Sequence, residues 1–367
     1  MNPIPGAILA AEMIVPCREL HETLPFFLDR LGFRLDHIFP ADDPATAIVS
    51  GFGLRLRLER GAGGDPGTLR LLADRLPDAP GGGAPLVAPN GTRIVFAPAE
   101  PPMALPPTRH EFLVRRLQDG EPWVIGRAGM QYRDLAPGRL GGSIIASHIR
   151  VPAAGPVPDN VHFHIVGFQM IYCYRGWVRL VYEDQGPPFV LAAGDCVLQP
   201  PRIRHRVLES SGGLEVIEIA CPAEHVTTLD HAMELPTGRI DRDKDFSGQK
   251  FCRHEMAKAR WQPWRIAGYE MRDTGIGAAT GGVAAVRAIR PAGSPDEGFH
   301  AHDADIHFSF VLEGGVTLAR RGEPGMRLAA GDAFVIPPAM STRLSQPTAD
   351  FQLLEVSLPA RFSTTRD

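Results

Sequence analysis

The sequence predicts a mainly β protein, with two tandem β-barrels preceded by a small α+β unit of βαβββ type. Three observations carry this. A chain of 367 residues has room for two or three domains of roughly 100–200 residues each. Its 39 glycines and 35 prolines break it into short runs rich in Val, Ile, Leu and aromatics, with no helical periodicity between the breaks. Most of the chain also repeats itself.

The first 60 residues stand apart. EMIVPC (12–17) has the composition of a strand. In ELHETLPFFLDRLG (19–32), Leu20, Leu24, Phe27, Leu28 and Leu31 recur at helical spacing, and Gly32 is placed to cap the end. FRLDHIF, TAIVSGF and LRLRLE then read as three strands. Residues 61–110 are Gly/Pro-rich, with one short strand expected at 93–97, and are expected to act largely as a linker or covering segment.

The repeat follows. PWVIGRAGMQYRDL (122–135) matches PWRIAGYEMRDTG (263–275), and each is followed by a Gly-Gly pair. VHFH (161–164) matches FHAH (299–302), and LAAGDCVLQPP (191–201) matches LAAGDAFVIPP (328–338). LEVIEIACP (214–222) matches FQLLEVSLP (351–359), and the offset stays between 137 and 141. Landmarks that keep their order and spacing mean two copies of one domain. The boundaries are expected at 111–225 and 251–367, joined by a polar connector at 226–250. Short strands closing on themselves would leave no exposed edges, so each copy is expected to be a barrel.

Composition excludes several functions. A formal charge of -4 leaves no basic excess for nucleic acid. No apolar run reaches the roughly 18–20 residues that span a bilayer. The N-terminal stretch has no Lys or Arg before Arg18 and is interrupted by Glu12, unlike a secretory signal. Five widely spaced cysteines without a CxxC fit a reducing cytoplasm better than a disulfide framework. Cys173 and Cys196 read as small buried hydrophobes.

The chemistry concentrates at the histidines. Residues i and i+2 of a strand share a face, so His162 and His164 look into one interior. A turn later Gln169 can join them, and His205 arrives some forty residues on. Three imidazoles at one point suit Fe(II), Mn, Ni, Cu or Zn. Arg202 and Arg204, in the loop leading to His205, are candidates to hold a substrate carboxylate.

These spacings resemble the cupin signature, G-x5-HxH-x3,4-E-x6-G followed by G-x5-P-x-G-x2-H. Here the first part reads Gly155-x6-His162-x-His164-x4-Gln169-x6-Gly176 and the second Gly194-x5-Pro200-x4-His205. Gln169 takes the slot usually held by Glu, and Arg202 replaces the turn glycine. The second copy reads Gly293-x6-His300-x-His302-x4-His307-x6-Gly314, then Gly331-x5-Pro337, with Thr342 in place of the last histidine. The region therefore resembles a bicupin, a pair of jelly-roll barrels. His162, His164 and His205, with Gln169 as a ligand or as a hydrogen-bond partner for a bound water or substrate, are the expected metal site. His300, His302 and His307 are expected to make a second, weaker one. Residues 10–60 resemble half of the vicinal-oxygen-chelate (glyoxalase) fold, on the F-x3-LGF run and the strand ending in Glu59. Glu12 and Glu59 lie where ligands of that fold could be, but its usual histidine is missing, so a structural or dimer-forming role is expected.

Three neutral histidines leave a divalent metal its full charge, which favours an anionic bidentate substrate and an open position for O2. The expectation is an Fe(II)-dependent dioxygenase acting on a small anionic aromatic, enol or oxo-acid, cytoplasmic and homo-oligomeric as a dimer. The alternatives are a non-redox isomerase, lyase or decarboxylase using Mn, Ni or Zn, and a non-catalytic cupin that binds a small ligand.

Overall fold

Both HxH segments, His162–His164 and His300–His302, are strands in the computed structural model, which describes residues 7–76, 86–120 and 122–367. The chain divides into two units, Met1–Pro102 and Met103–Asp367. Among the described residues no helix is long and apolar enough to cross a membrane.

In the first unit the strand Met13–Cys17, a helical segment, and the strands Arg34–Phe39, Thr46–Gly51 and Leu54–Arg60 form the expected βαβββ sheet, the first strand running parallel to the last. Pro25 closes the regular helix Leu20–Pro25, and the chain continues as a π turn over Phe26–Arg30. Gly32, at φ +80°, then ends the segment in the left-handed conformation that suits glycine. Residues 61–110 are more than a linker. Thr68–Ala73, Leu86–Val87 and Arg93–Pro98 make a small sheet, and Ile94 is buried in the same core as Phe27 and Leu58. The strand expected at 93–97 is present; the strand Thr68–Ala73, parallel to it, and the two-residue strand Leu86–Val87 were not expected.

The second unit holds two double-sheet barrels. In the first, one sheet runs Cys252–His254, Cys196–Leu198, Phe168–Arg175, Leu214–Cys221, Ile145–Val151, Gln131–Asp134, Val124–Ile125. The facing sheet runs Phe189–Ala192, Trp177–Tyr182, His205–Ser210, His162–His164, Thr227–Leu229. The second barrel repeats the plan, with Ile306–Glu313 in the place of Phe168–Arg175 and Thr342–Ser345 in the place of His205–Ser210.

The runs 168–175 and 306–313 are buried along most of their length because both of their faces are covered. Phe168, Met170 and Tyr172 join Phe308, Phe310 and Leu312 in a core shared between the barrels. Cys173 turns into the first barrel and Val311 into the second.

The expected boundaries at 111–225 and 251–367 divide the chain differently from the sheets. Leu113–Arg115 completes the sheet of the second barrel against Ala333–Val335. Cys252–His254 completes that of the first against Cys196–Leu198. Each copy thus lends its first strand to the other. A repeat alignment shows that the strands correspond but cannot tell which barrel each one joins. The Gly-Asp turns fasten the exchange. Asp195 accepts the Met256 N–H (2.8 Å) and its own turn's Ala192 N–H (3.1 Å). Asp332 accepts the Leu117 and Ala329 N–H groups at 2.8 and 2.9 Å.

The 226–250 segment, expected as a connector, also contributes structure. Thr227–Leu229 pairs with His162–His164 and finishes the sheet that carries the histidines.

Replacing Asp195 by alanine leaves the N–H groups of Met256 and Ala192 without their acceptor. Asp195→Ala is expected to cost about 2–3 kcal/mol, read as a lower denaturant midpoint at unchanged slope. An unchanged midpoint would show that the exchanged strand does not depend on this turn.

Candidate metal centre

His162 and His205 sit directly opposite each other on neighbouring antiparallel strands, and His164 shares the His162 face two residues on. One ring nitrogen from each of the three lies within 4.8 Å of the other two, and all three residues are buried. The ring centroids are 4.3 to 5.3 Å apart.

The outward nitrogens set which way the lone pairs point. His162 Nδ1 is 2.7 Å from the Asn160 carbonyl oxygen, and His205 Nδ1 is 3.0 Å from that of Ile203. A carbonyl only accepts, so each Nδ1 carries the proton and each Nε2 presents a lone pair. His164 Nδ1 meets Thr227 Oγ1 at 2.9 Å. Burial, reinforced by the neighbouring histidines, lowers the His164 pKa to about 3 and puts that of His205 well below its ordinary value. Burial lowers His162 too, followed by the nearby Arg127. The rings are therefore neutral near pH 7. His162 Nε2 is buried without a hydrogen-bond partner. Three neutral, convergent nitrogen donors, one of them orphaned, fit a divalent metal ion.

Gln169 does not line the cavity. Its amide donates to Glu218 Oε1 at 2.7 Å, and its own Oε1 is left without a partner. Glu218, not singled out in the sequence, does line the cavity, and burial raises its pKa above the usual carboxyl range. Arg202 and Arg204 are also absent from the cavity wall. Arg202 takes φ +64° at the turn where the motif has glycine, and its N–H donates to the His164 carbonyl. Arg204 pairs with Asp230 at 3.2 Å and covers the Phe163 ring. The arginine in the wall is Arg127, held by Asp159 Oδ1 at 2.5 Å. It lies in the repeat landmark preceding Gln131–Asp134, some 35 residues from the HxH, where sequence distance hid it. Tyr132 and Gln199 also line the cavity, and most of the other lining residues are aliphatic. The cavity measures about 80 Å³.

The second barrel is built otherwise. Thr342 sits opposite His300, as His205 does opposite His162, but His300, His302 and His307 do not make a comparable donor group among the described residues. His307 Nε2 is 2.9 Å from Glu355 Oε2, which also receives Arg265 at 2.5 Å, while Arg287 meets the other oxygen at 3.3 Å. Burial works to raise the pKa of Glu355, yet Arg265 and His307 hold it well below the carboxylate range. At the second expected site His307 is therefore engaged by an ion-pair network. The sequence showed the missing histidine at Thr342 but not the arginine that enters the space. In the first unit, Glu12 pairs with Arg55 and Glu59 with Arg57, and no metal-binding group forms there among the described residues.

No family model and no curated protein sequence matches the chain. Solved structures do. Salicylate 1,2-dioxygenase from Pseudoaminobacter salicylatoxidans aligns at TM-score 0.53 and 18% identity, over 72% of this chain and 90% of its own. Another structure of that dioxygenase, in complex with gentisate, aligns at the same TM-score and identity, over 88% of its length. Oxalate decarboxylase from Bacillus subtilis aligns at TM-score 0.51 and 12% identity, over 71% of this chain and 81% of its own. The shared architecture is a tandem pair of cupin-type barrels. At these identities the likeness concerns fold.

The depressed histidine pKa values give the metal-free protein a signed pH dependence. A buried imidazole whose pKa is lowered contributes stability that is fully present above its ordinary pKa, about 6.5, and is lost as pH falls toward about 3. The Tm of chelator-treated protein is expected to fall steadily between pH 6.5 and the onset of acid unfolding. A flat Tm across that window would contradict it.

Proposed function

We propose that the first barrel holds a divalent metal on His162, His164 and His205 and acts on a small anionic substrate as an Fe(II)-dependent dioxygenase. The observation that carries this reading is the orientation of the triad: the two carbonyl-bonded rings, His162 and His205, direct lone pairs inward at the point His164 faces. With no carboxylate among the three donors, the ion would keep its full charge and favour an anionic chelating substrate. When bound, the metal would supply Lewis acidity and, if it is redox-active, electrons for O2.

The surrounding residues divide the remaining work. Arg127, steadied by Asp159, lies where it can hold a substrate carboxylate. Glu218, its pKa raised, can keep a proton beside the substrate. Ile149, Val151, Ile171, Val178 and Leu180 keep water out. A cavity of about 80 Å³, set against the roughly 150 Å³ void that admits benzene, favours the enol and oxo-acid members of the substrate class over an aromatic ring.

A cavity-facing carboxyl whose pKa burial raises also supports a second reading, a non-redox lyase or decarboxylase in which Glu218 delivers a proton. Oxygen separates the two. Turnover of candidate enols and oxo-acids by iron-loaded protein, with matching O2 uptake, supports the dioxygenase; undiminished turnover under strict anaerobiosis replaces it with the second reading.

His162→Ala is expected to reduce bound metal to background in elemental analysis, because two imidazoles compete poorly with water and buffer. Full metal content and activity in this variant would move the working site out of the first barrel. Arg127→Gln is expected to raise KM about tenfold, the loss of one hydrogen bond to a charged group, while leaving metal content unchanged. An unchanged KM would remove Arg127 from substrate binding.

A further inference from the structure

The second barrel carries a concentration of unsatisfied polar atoms that its ion-pair network does not explain. Trp264 Nε1, Tyr269 Oη, His302 Nε2, His307 Nδ1, Ser309 Oγ and Thr364 Oγ1 are all buried without a hydrogen-bond partner. The six residues that carry them all line one cavity of about 40 Å³. Five of them are more than nine-tenths buried. Buried polar groups are normally paired, and each one left unpaired is destabilising. So many around one space imply an occupant.

The protonation pattern says what kind of occupant. His302 Nδ1 accepts the Ala304 N–H at 3.2 Å. The ring is neutral, its pKa lowered by burial to about 3, so its single proton is on Nε2. This is the reverse of His162 and His205. The second barrel therefore offers an N–H where the first offers a lone pair, and repels a cation where the first would bind one. The Trp264 indole N–H is also a donor, and the three hydroxyls can donate as well. Arg265 lines the same cavity, stacked on the Trp264 ring at 4.1 Å.

Charge points the same way. Glu355 is shared by two guanidiniums, Arg265 and Arg287. The other carboxylate in the cavity wall, Asp296, is taken by Arg366 at 3.1 Å. At Glu355 the guanidiniums thus outnumber the carboxylate, beside a cluster of donors. The single orphaned acceptor, His307 Nδ1, whose Nε2 proton goes to Glu355, needs one donor from the occupant or from an accompanying water. Since one water needs roughly 10–15 Å³, the space suits a molecule of only a few heavy atoms.

We propose that the second barrel is a metal-free receptor for a small monocarboxylate, bound through Arg265, Trp264, His302 and the hydroxyls of Tyr269, Ser309 and Thr364. The carboxylate neutralises the excess charge and accepts from the donors. The site does not depend on the metal chemistry of the first barrel.

The test uses the full chain, stripped of metal with a chelator so that no ion can capture the probe. Acetate and its uncharged counterpart acetamide are titrated calorimetrically, and crystals are soaked in acetate. Saturable binding of one acetate per chain is expected, with acetamide at least about tenfold weaker, and with density for acetate against Arg265 and Trp264. Trp264→Phe keeps the ring that covers Arg265 and removes the N–H, and is expected to weaken acetate about tenfold. Tyr269→Phe gives a second, independent loss of affinity should the first variant fold poorly. In His162→Ala acetate binding is expected to be unchanged, which keeps this result separate from the fate of the first-barrel reading. Absence of saturable binding, equal affinity for acetamide, ordered water alone in the soaked cavity, or acetate binding lost in His162→Ala would each overturn the proposal.

Discussion

The reciprocal exchange of first strands, fastened by Asp195 and Asp332, is the constraint on which the second unit rests. Each aspartate closes its own turn and holds the segment lent by the other copy, so neither barrel's sheet is complete without both. With the barrels joined in this way, the strands 168–175 and 306–313 are buried on both faces. A strand buried on both faces cannot slip by one residue, because the slip would exchange the shared core for the barrel interior. Their registers therefore fix those of the strands that bear the cavity residues, Glu218 opposite Ile171 and Glu355 opposite Ser309.

On this common frame the two barrels present opposite chemistry, and the difference begins at the outer nitrogen of a histidine. Where Nδ1 meets a carbonyl oxygen, at Asn160 or Ile203, the inner nitrogen is a lone pair. Where Nδ1 meets the Ala304 N–H, the inner nitrogen is a donor. The carboxylates diverge similarly. Glu218 has an amide for a neighbour, Gln169, and burial favours its protonated form. Glu355, at the matching place, has His307 and two arginines, which hold it ionised. The replacement of Gln169 by His307 at one position of the repeat, together with Arg265, thus accompanies a change from a site suited to a cation to one suited to an anion.

The amino-acid sequence by itself determined the repeat, the strands that carry it and the common face of His162 and His164, because these follow from the two-residue period of a strand and from local spacing; His205 was legible only through the motif spacing that the chain resembles, and its place opposite His162 is a strand pairing. It also showed that the second copy lacks a histidine at Thr342. Only the tertiary structure decided which barrel each first strand joins, that Arg127 and Glu218 rather than Arg202 and Gln169 face the first cavity, and that Arg265 lines the second. Each of these depends on pairings between residues far apart in the chain, or on which of two nearly equivalent partners a polar atom meets. Spacing along one strand carries no information about such choices; they are made when the barrels close and bring distant side chains together.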